Sequence, residues 1–155
     1  NQGTTNLATF RAITKKYPNQ PPEHVLRDLV ASTPGSEGKW FAAAKDAGLY
    51  NAAIELSNTS PTDPRTLARA ARDFAENQPE FAWASGLAAL RWISRGHGYE
   101  ITGADVLDAY AAMALAASHA GIDERRINEQ ISQLLETASS HTDFLRKILG
   151  PRLSR

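Results

Sequence analysis

Cysteine is absent from the 155 residues, which excludes disulfides, thiolate metal sites and cysteine nucleophiles. Net charge is absent too, since seventeen Lys and Arg balance seventeen Asp and Glu. A protein dedicated to nucleic acid carries a basic excess that neutralises phosphates. The chain as a whole lacks that character, although a local basic patch stays open. No apolar run is long enough for a bilayer. "FAWASGLAAL" (81–90) and "AYAAMALAAS" (109–118) reach about half of the ~20 residues that a spanning helix needs. They read as buried helices, and no membrane partner is expected. The lack of cysteine suits a cytoplasmic bacterial protein. The first residue is Asn1, not Met, and no basic-then-apolar leader follows. The expectation is a single helical domain over 1–155, processed or cut from a longer protein.

Motifs that carry chemistry are also missing. The chain has no H-E-x-x-H, G-x-S-x-G, Walker A or G-x-G-x-x-G, and no paired-carboxylate signature. Its four histidines, His24, His97, His119 and His141, form no i, i+4 pair on one expected helix. They read as surface residues, and no metal, cofactor or catalytic residue is expected.

What is present is helical period almost throughout, with no convincing strand. A helix over 4–16 places Leu7, Phe10, Ile13 and Tyr17 at spacings of three and four. A second begins at Pro21–Pro22 and turns Val25, Leu26, Leu29 and Val30 inward. A third, over 37–47, carries Trp40, Phe41 and Ala44 inward. Gly48 splits "AKDAGLYNAAIELS" (44–57) into two antiparallel helices, because glycine takes the positive φ that often follows a helix end. Asp63 and Pro64 suit the cap and first turn of a helix over 64–77. The helix over 79–95 is apolar nearly all round and must lie between neighbours. Thr102 with Asp105 resembles a capping box for a helix over 103–119. Gly121 ends that helix, and Asp123 caps another over 124–139 with Ile127, Ile131, Leu134, Leu135 and Ala138 inward. Thr142 is the expected cap of a short helix over 143–149, closed by Gly150–Pro151.

The expected class is therefore all-α, with about nine helices in antiparallel pairs. "AGLYNAAIEL" (47–56) resembles the G-x-Y-x-x-A segment of the tetratricopeptide repeat, and "FAENQPEFAWASGLAAL" (74–90) matches loosely. The other pairs lack the motif, so a repeat-like solenoid and an irregular bundle both stay open. "NLATFRAITKKYP" (6–18), "GSEGKWFAAAKDAGLYNAAIEL" (35–56), "DPRTLARAARDFAENQPEFA" (63–82) and "GYEITGADVLDAY" (98–110) resemble the C-terminal helical region of large bacterial proteins. Some of these carry a SWIM-type zinc finger elsewhere. That finger needs cysteines and so is not in this chain. The resemblance implies a fragment in a bacterial, intracellular setting and supplies no catalytic residues.

Five residues stand out as candidates for a partner-binding face. Arg65, Arg69 and Arg72, with Glu76, fall on one face of their helix at spacings of four, three and four. They read either as a surface for an anion or acidic peptide, or as a solvated face with Asp73 paired to Arg69. His97 and Tyr99 sit in "RGHGYE" (95–100), which reads as a ligand-gripping loop or as a helix end with Tyr99 packed back. Trp40, Trp83 and Trp92 could line a groove or fill the core. "RKILGPRLSR" (146–155) has four basic and no acidic residues and reads as a frayed basic tail or a nucleic-acid contact. The leading functional expectation is a non-catalytic scaffold that binds a protein or peptide, including another part of its own polypeptide. An accessory domain of a nucleic-acid-associated protein and an enzyme with an unrecognised site are the alternatives.

Overall fold

A computed structural model describes residues 2–153, with side chains from Asn6 onward. The described residues form α1 (Gln2–Lys16), α2 (Pro22–Ala31), a 3-10 turn (Glu37–Trp40), α3 (Phe41–Asp46), α4 (Tyr50–Thr59) and α5 (Pro64–Phe74). They continue with α6 (Pro79–Ser94), α7 (Gly103–Ala120), α8 (Glu124–Leu134) and α9 (Ser140–Leu153), with no strand among them. The all-α class is as expected. The chain divides into two compact units, Asn1–Thr62 and Asp63–Arg155.

In the first unit the joint at Gly48 forms as anticipated. Gly48 has φ +76°. Its N–H donates to the Lys45 carbonyl at 3.0 Å, and the Leu49 N–H donates to Ala44 at 2.9 Å. These bonds satisfy carbonyls that the ending helix leaves open, so α3 stops and α4 starts within a few residues. The helix expected over 37–47 is not uniform, because its first turn is 3-10. Gly38 explains this. Its N–H donates to the Ser60 hydroxyl at 2.7 Å. A Cβ at this position would meet the carbonyls of Pro61 at 2.6 Å and Ser60 at 2.9 Å, and the Thr62 hydroxyl. The backbone that follows α4 therefore lies directly on the turn. Trp40, Phe41 and Ala44 are buried, and the Trp40 indole donates to Thr33 Oγ1 at 2.9 Å. Arg11 ties α1 to α3 through two bonds to Asp46, at 2.7 and 3.0 Å.

In the second unit α6 packs against α5, α7, α8 and α9, which is why apolar residues encircle it. Gly86 lets α7 come close, since a Cβ there would lie 2.7 Å from Met113 Cβ. Trp83 and Trp92 are core residues, as is Trp40 in the first unit. The Asp63, Thr102 and Asp123 caps form as expected.

The C-terminal expectations need correction. α8 stops at Leu134, short of 139, and Ala138 is exposed. The Ser139 N–H donates to Thr142 Oγ1 at 2.9 Å, and the Thr142 N–H donates to Ser139 Oγ at 3.1 Å. This reciprocal box starts α9 earlier than expected and makes Thr142 a buried box partner, not the cap residue. α9 also runs through Gly150–Pro151 to Leu153, so that part of the basic run is helical, while residues 154–155 lie outside the described residues. Proline disfavours the helical region for the preceding residue through a clash with its Cβ. Glycine has no Cβ, so the pair that reads as a terminator lets the helix continue.

Candidate functional site

Arg65, Arg69 and Arg72 project from α5 into a groove of about 470 Å³ whose other wall is α7. Asp63 positions the first of them. It caps α5 by accepting from the Arg65 N–H at 3.4 Å, and Pro64 supplies a preset φ for the first turn. Residues 65, 69 and 72 then share one side of the helix because their spacing follows the helical repeat. The α7 wall contributes Asp105, Asp108, Ala111, Ala112 and Leu115. Leu115 is 51% exposed, and with the three alanines at 68, 111 and 112 it makes the surface between the charges apolar.

The three arginines are not equivalent. Arg65 holds Asp105 in a two-point fork, Nε to Oδ1 at 3.1 Å and Nη2 to Oδ2 at 2.9 Å. It also donates to the carbonyls of Tyr99 at 2.6 Å and Glu100 at 2.9 Å. Asp105 in turn accepts from the Thr102 N–H at 2.8 Å and closes the capping box of α7. The Arg65 hydrogen bond, reinforced by the Thr102 N–H, holds the Asp105 carboxyl below its usual range, and the same bond raises the Arg65 guanidinium. Arg65 is thus a clamp that fixes the loop over 95–102. Glu100 there has φ +47°, a left-handed conformation that costs a non-glycine residue free energy and persists only when its surroundings hold it. Arg69 is exposed, with no hydrogen bond or ion pair to it among the described residues. The ion pair expected between Arg69 and Asp73 is absent among the described residues. Asp73 accepts instead from Arg72 Nε at 3.2 Å, with both side chains largely in solvent.

His97 and Tyr99 do not line this groove. Gly96 (φ +86°) ends α6 with bonds from its own N–H to Ile93 at 3.0 Å and from the His97 N–H to Trp92 at 2.9 Å. The His97 ring stands edge-on to Trp92, 5.3 Å between centroids, and lines a separate cavity of about 280 Å³ with His141 and Phe144. Tyr99 does not pack back. Its side chain is 77% exposed while its carbonyl is held by Arg65. All four histidines are exposed, and no three His, Asp or Glu residues converge as metal ligands among the described residues.

The α7 side of the groove is the part that sequence reading missed. Asp105 read there as the capping-box partner of Thr102, with nothing to link it to Arg65. The available signal was Leu115, a large aliphatic residue in an alanine-rich helix, on the same side as Ala111 and Ala112.

The clamp makes acid sensitivity testable. Because the folded-state pKa of Asp105 is depressed, its contribution is full above the ordinary aspartate value of about 3.9 and is lost as pH falls through the folded value. Asp105→Asn should therefore unfold less steeply than the parent between about pH 5 and pH 2 in thermal melts. Equal slopes would show that the fork adds nothing to the fold. No protein-family model, curated protein or solved structure matches the chain.

Proposed function

We propose that the chain is a non-catalytic interaction scaffold whose α5/α7 groove takes an acidic, partly apolar segment of a partner protein. The observation that carries this reading is the pairing of an apolar groove surface with Arg69, a guanidinium that pairs with no acid among the described residues. A carboxylate from the partner would gain a charge-assisted bond there, and aliphatic side chains would cover Ala111, Ala112 and Leu115. α5 and α7 both start at the Arg65–Asp105 fork and line one groove, with α6 packed against each of them. That arrangement supports the resemblance to tetratricopeptide pairs, because alternate helices of stacked pairs line a shared concave face. The same reading sets the scaffold in the bacterial cytoplasm.

The test spares Arg65, whose loss would release the loop. A labelled amphipathic peptide with one leucine face and one glutamate face is titrated against the parent and against Arg69→Glu/Arg72→Glu. Affinity should fall at least about tenfold in the variant, the scale of losing one or two charge-assisted contacts. Equal affinity for both proteins would remove the groove from the reading. Capture of nucleic acid with a steep salt dependence would move the assignment to the nucleic-acid alternative.

A further inference from the structure

We propose that the first unit carries a second docking groove, between α2 and α4, which takes an amphipathic partner segment with lysine or arginine on both sides of its apolar stripe. The groove encloses about 640 Å³. Its α2 wall is the run Glu23, Leu26, Arg27 and Val30, spaced as one helix face. On the α4 wall, Ala52, Glu55, Leu56 and Thr59 follow the same spacing, and Leu49 stands just before the helix. Leu26 and Leu56 are buried at the bottom, with Val30, Leu49 and Ala52 half-buried above them. The floor is therefore aliphatic and partly open to water.

The charge around this floor has one dominant sign. Glu23 on α2 and Glu55 on α4 are exposed and hold no ion pair among the described residues. Glu37 is a third lining carboxylate, against the single guanidinium of Arg27. Glu37 is fixed in place, since its Oε2 accepts from the Gly35 N–H at 3.0 Å. Bonds from its own N–H and from Gly35 hold that carboxyl below the usual range, so it stays ionised at neutral pH. Because Glu23 and Glu55 lie on opposite walls, the complementary ligand needs cations on both flanks of its apolar face. An acidic segment of the kind assigned to the α5/α7 groove would meet repulsion here. This proposal stands on the first unit alone and does not depend on the α5/α7 reading. Together the two grooves would make the chain an adaptor for two partner segments of opposite charge.

The experiment uses the full chain, labelled with nitrogen-15, and two synthetic amphipathic peptides. One has its leucine stripe flanked on both sides by lysine, and the other has glutamate in the same places. The lysine peptide should shift the amides of Leu26, Val30, Ala52 and Leu56. Its affinity should fall at least about tenfold in Glu23→Lys/Glu55→Lys and stay unchanged in Arg69→Glu/Arg72→Glu. Both changes are at exposed positions, and circular dichroism of each variant confirms that the helices are retained. Shifts confined to other helices would overturn the proposal, as would equal affinity of the parent and the Glu23/Glu55 variant, or equal binding of both peptides. If raising the concentration of the protein alone produced the α2 and α4 shifts, the occupant would be a second copy and the separate-partner assignment would fall.

Discussion

Phe41→Ala should cost the fold about 3–5 kcal/mol, the range for truncating a fully buried aromatic residue. Phe41 is 1% exposed and opens α3 directly after the 3-10 turn. Its removal loses the transfer free energy of the ring and leaves a cavity that the surrounding helices fill only in part. A unit the size of Asn1–Thr62 has about 3–9 kcal/mol of stability to draw on, at ~0.05–0.15 kcal/mol per residue. The loss therefore takes up much of that reserve. Urea unfolding, combined with amide exchange in α3 and α4, measures it. Phe41→Leu keeps most of the apolar volume and should lose much less. A cost under about 1 kcal/mol for the alanine variant would mean that this ring is not a core residue.

Two neighbouring positions on α6 should respond to alanine with opposite signs. The Ser85 hydroxyl is buried and has no hydrogen-bond partner among the described residues. Removing a buried, unsatisfied polar group ends its desolvation penalty, and alanine is also the better helix former. Ser85→Ala should therefore stabilise by about 1 kcal/mol. At Gly86 the new Cβ would lie 2.7 Å from Met113 Cβ and 3.2 Å from Met113 Cα. These atoms belong to the base of a fully buried side chain and cannot rotate away, so α6 and α7 must separate. Overpacking of this kind costs about 1–3 kcal/mol, against a helix-propensity gain of about 1 kcal/mol. The expected net change is a lower Tm for Gly86→Ala and a higher Tm for Ser85→Ala. A rise in both would refute the close approach of the two helices.

Legibility in the sequence followed the range of the forces involved. The caps at Asp63, Thr102 and Asp123 and the joint at Gly48 were readable because each depends on bonds within a few residues. The C-terminal region was misread where two local signals competed. The Ser139–Thr142 box moved the start of α9, and Gly150 allowed helix to pass through Pro151. The arginine face was visible as a stripe, but the separation of Arg65 from Arg69 and Arg72 was not. Arg65 is committed by an acid forty positions away, and no local pattern signals that pairing.

The sequence alone determined the helical class and most helix boundaries, together with the inward faces of α5 and α6. Hydrophobic period, capping residues and glycine conformation act over one or two turns and are written directly in the residue order. Only the tertiary structure decided the opposite wall of each groove, the close α6–α7 contact at Gly86, and which charged residues are left for a partner. Those outcomes depend on which side chains meet across distant segments. A charge is available for binding only when folding has not already given it a neutralising neighbour.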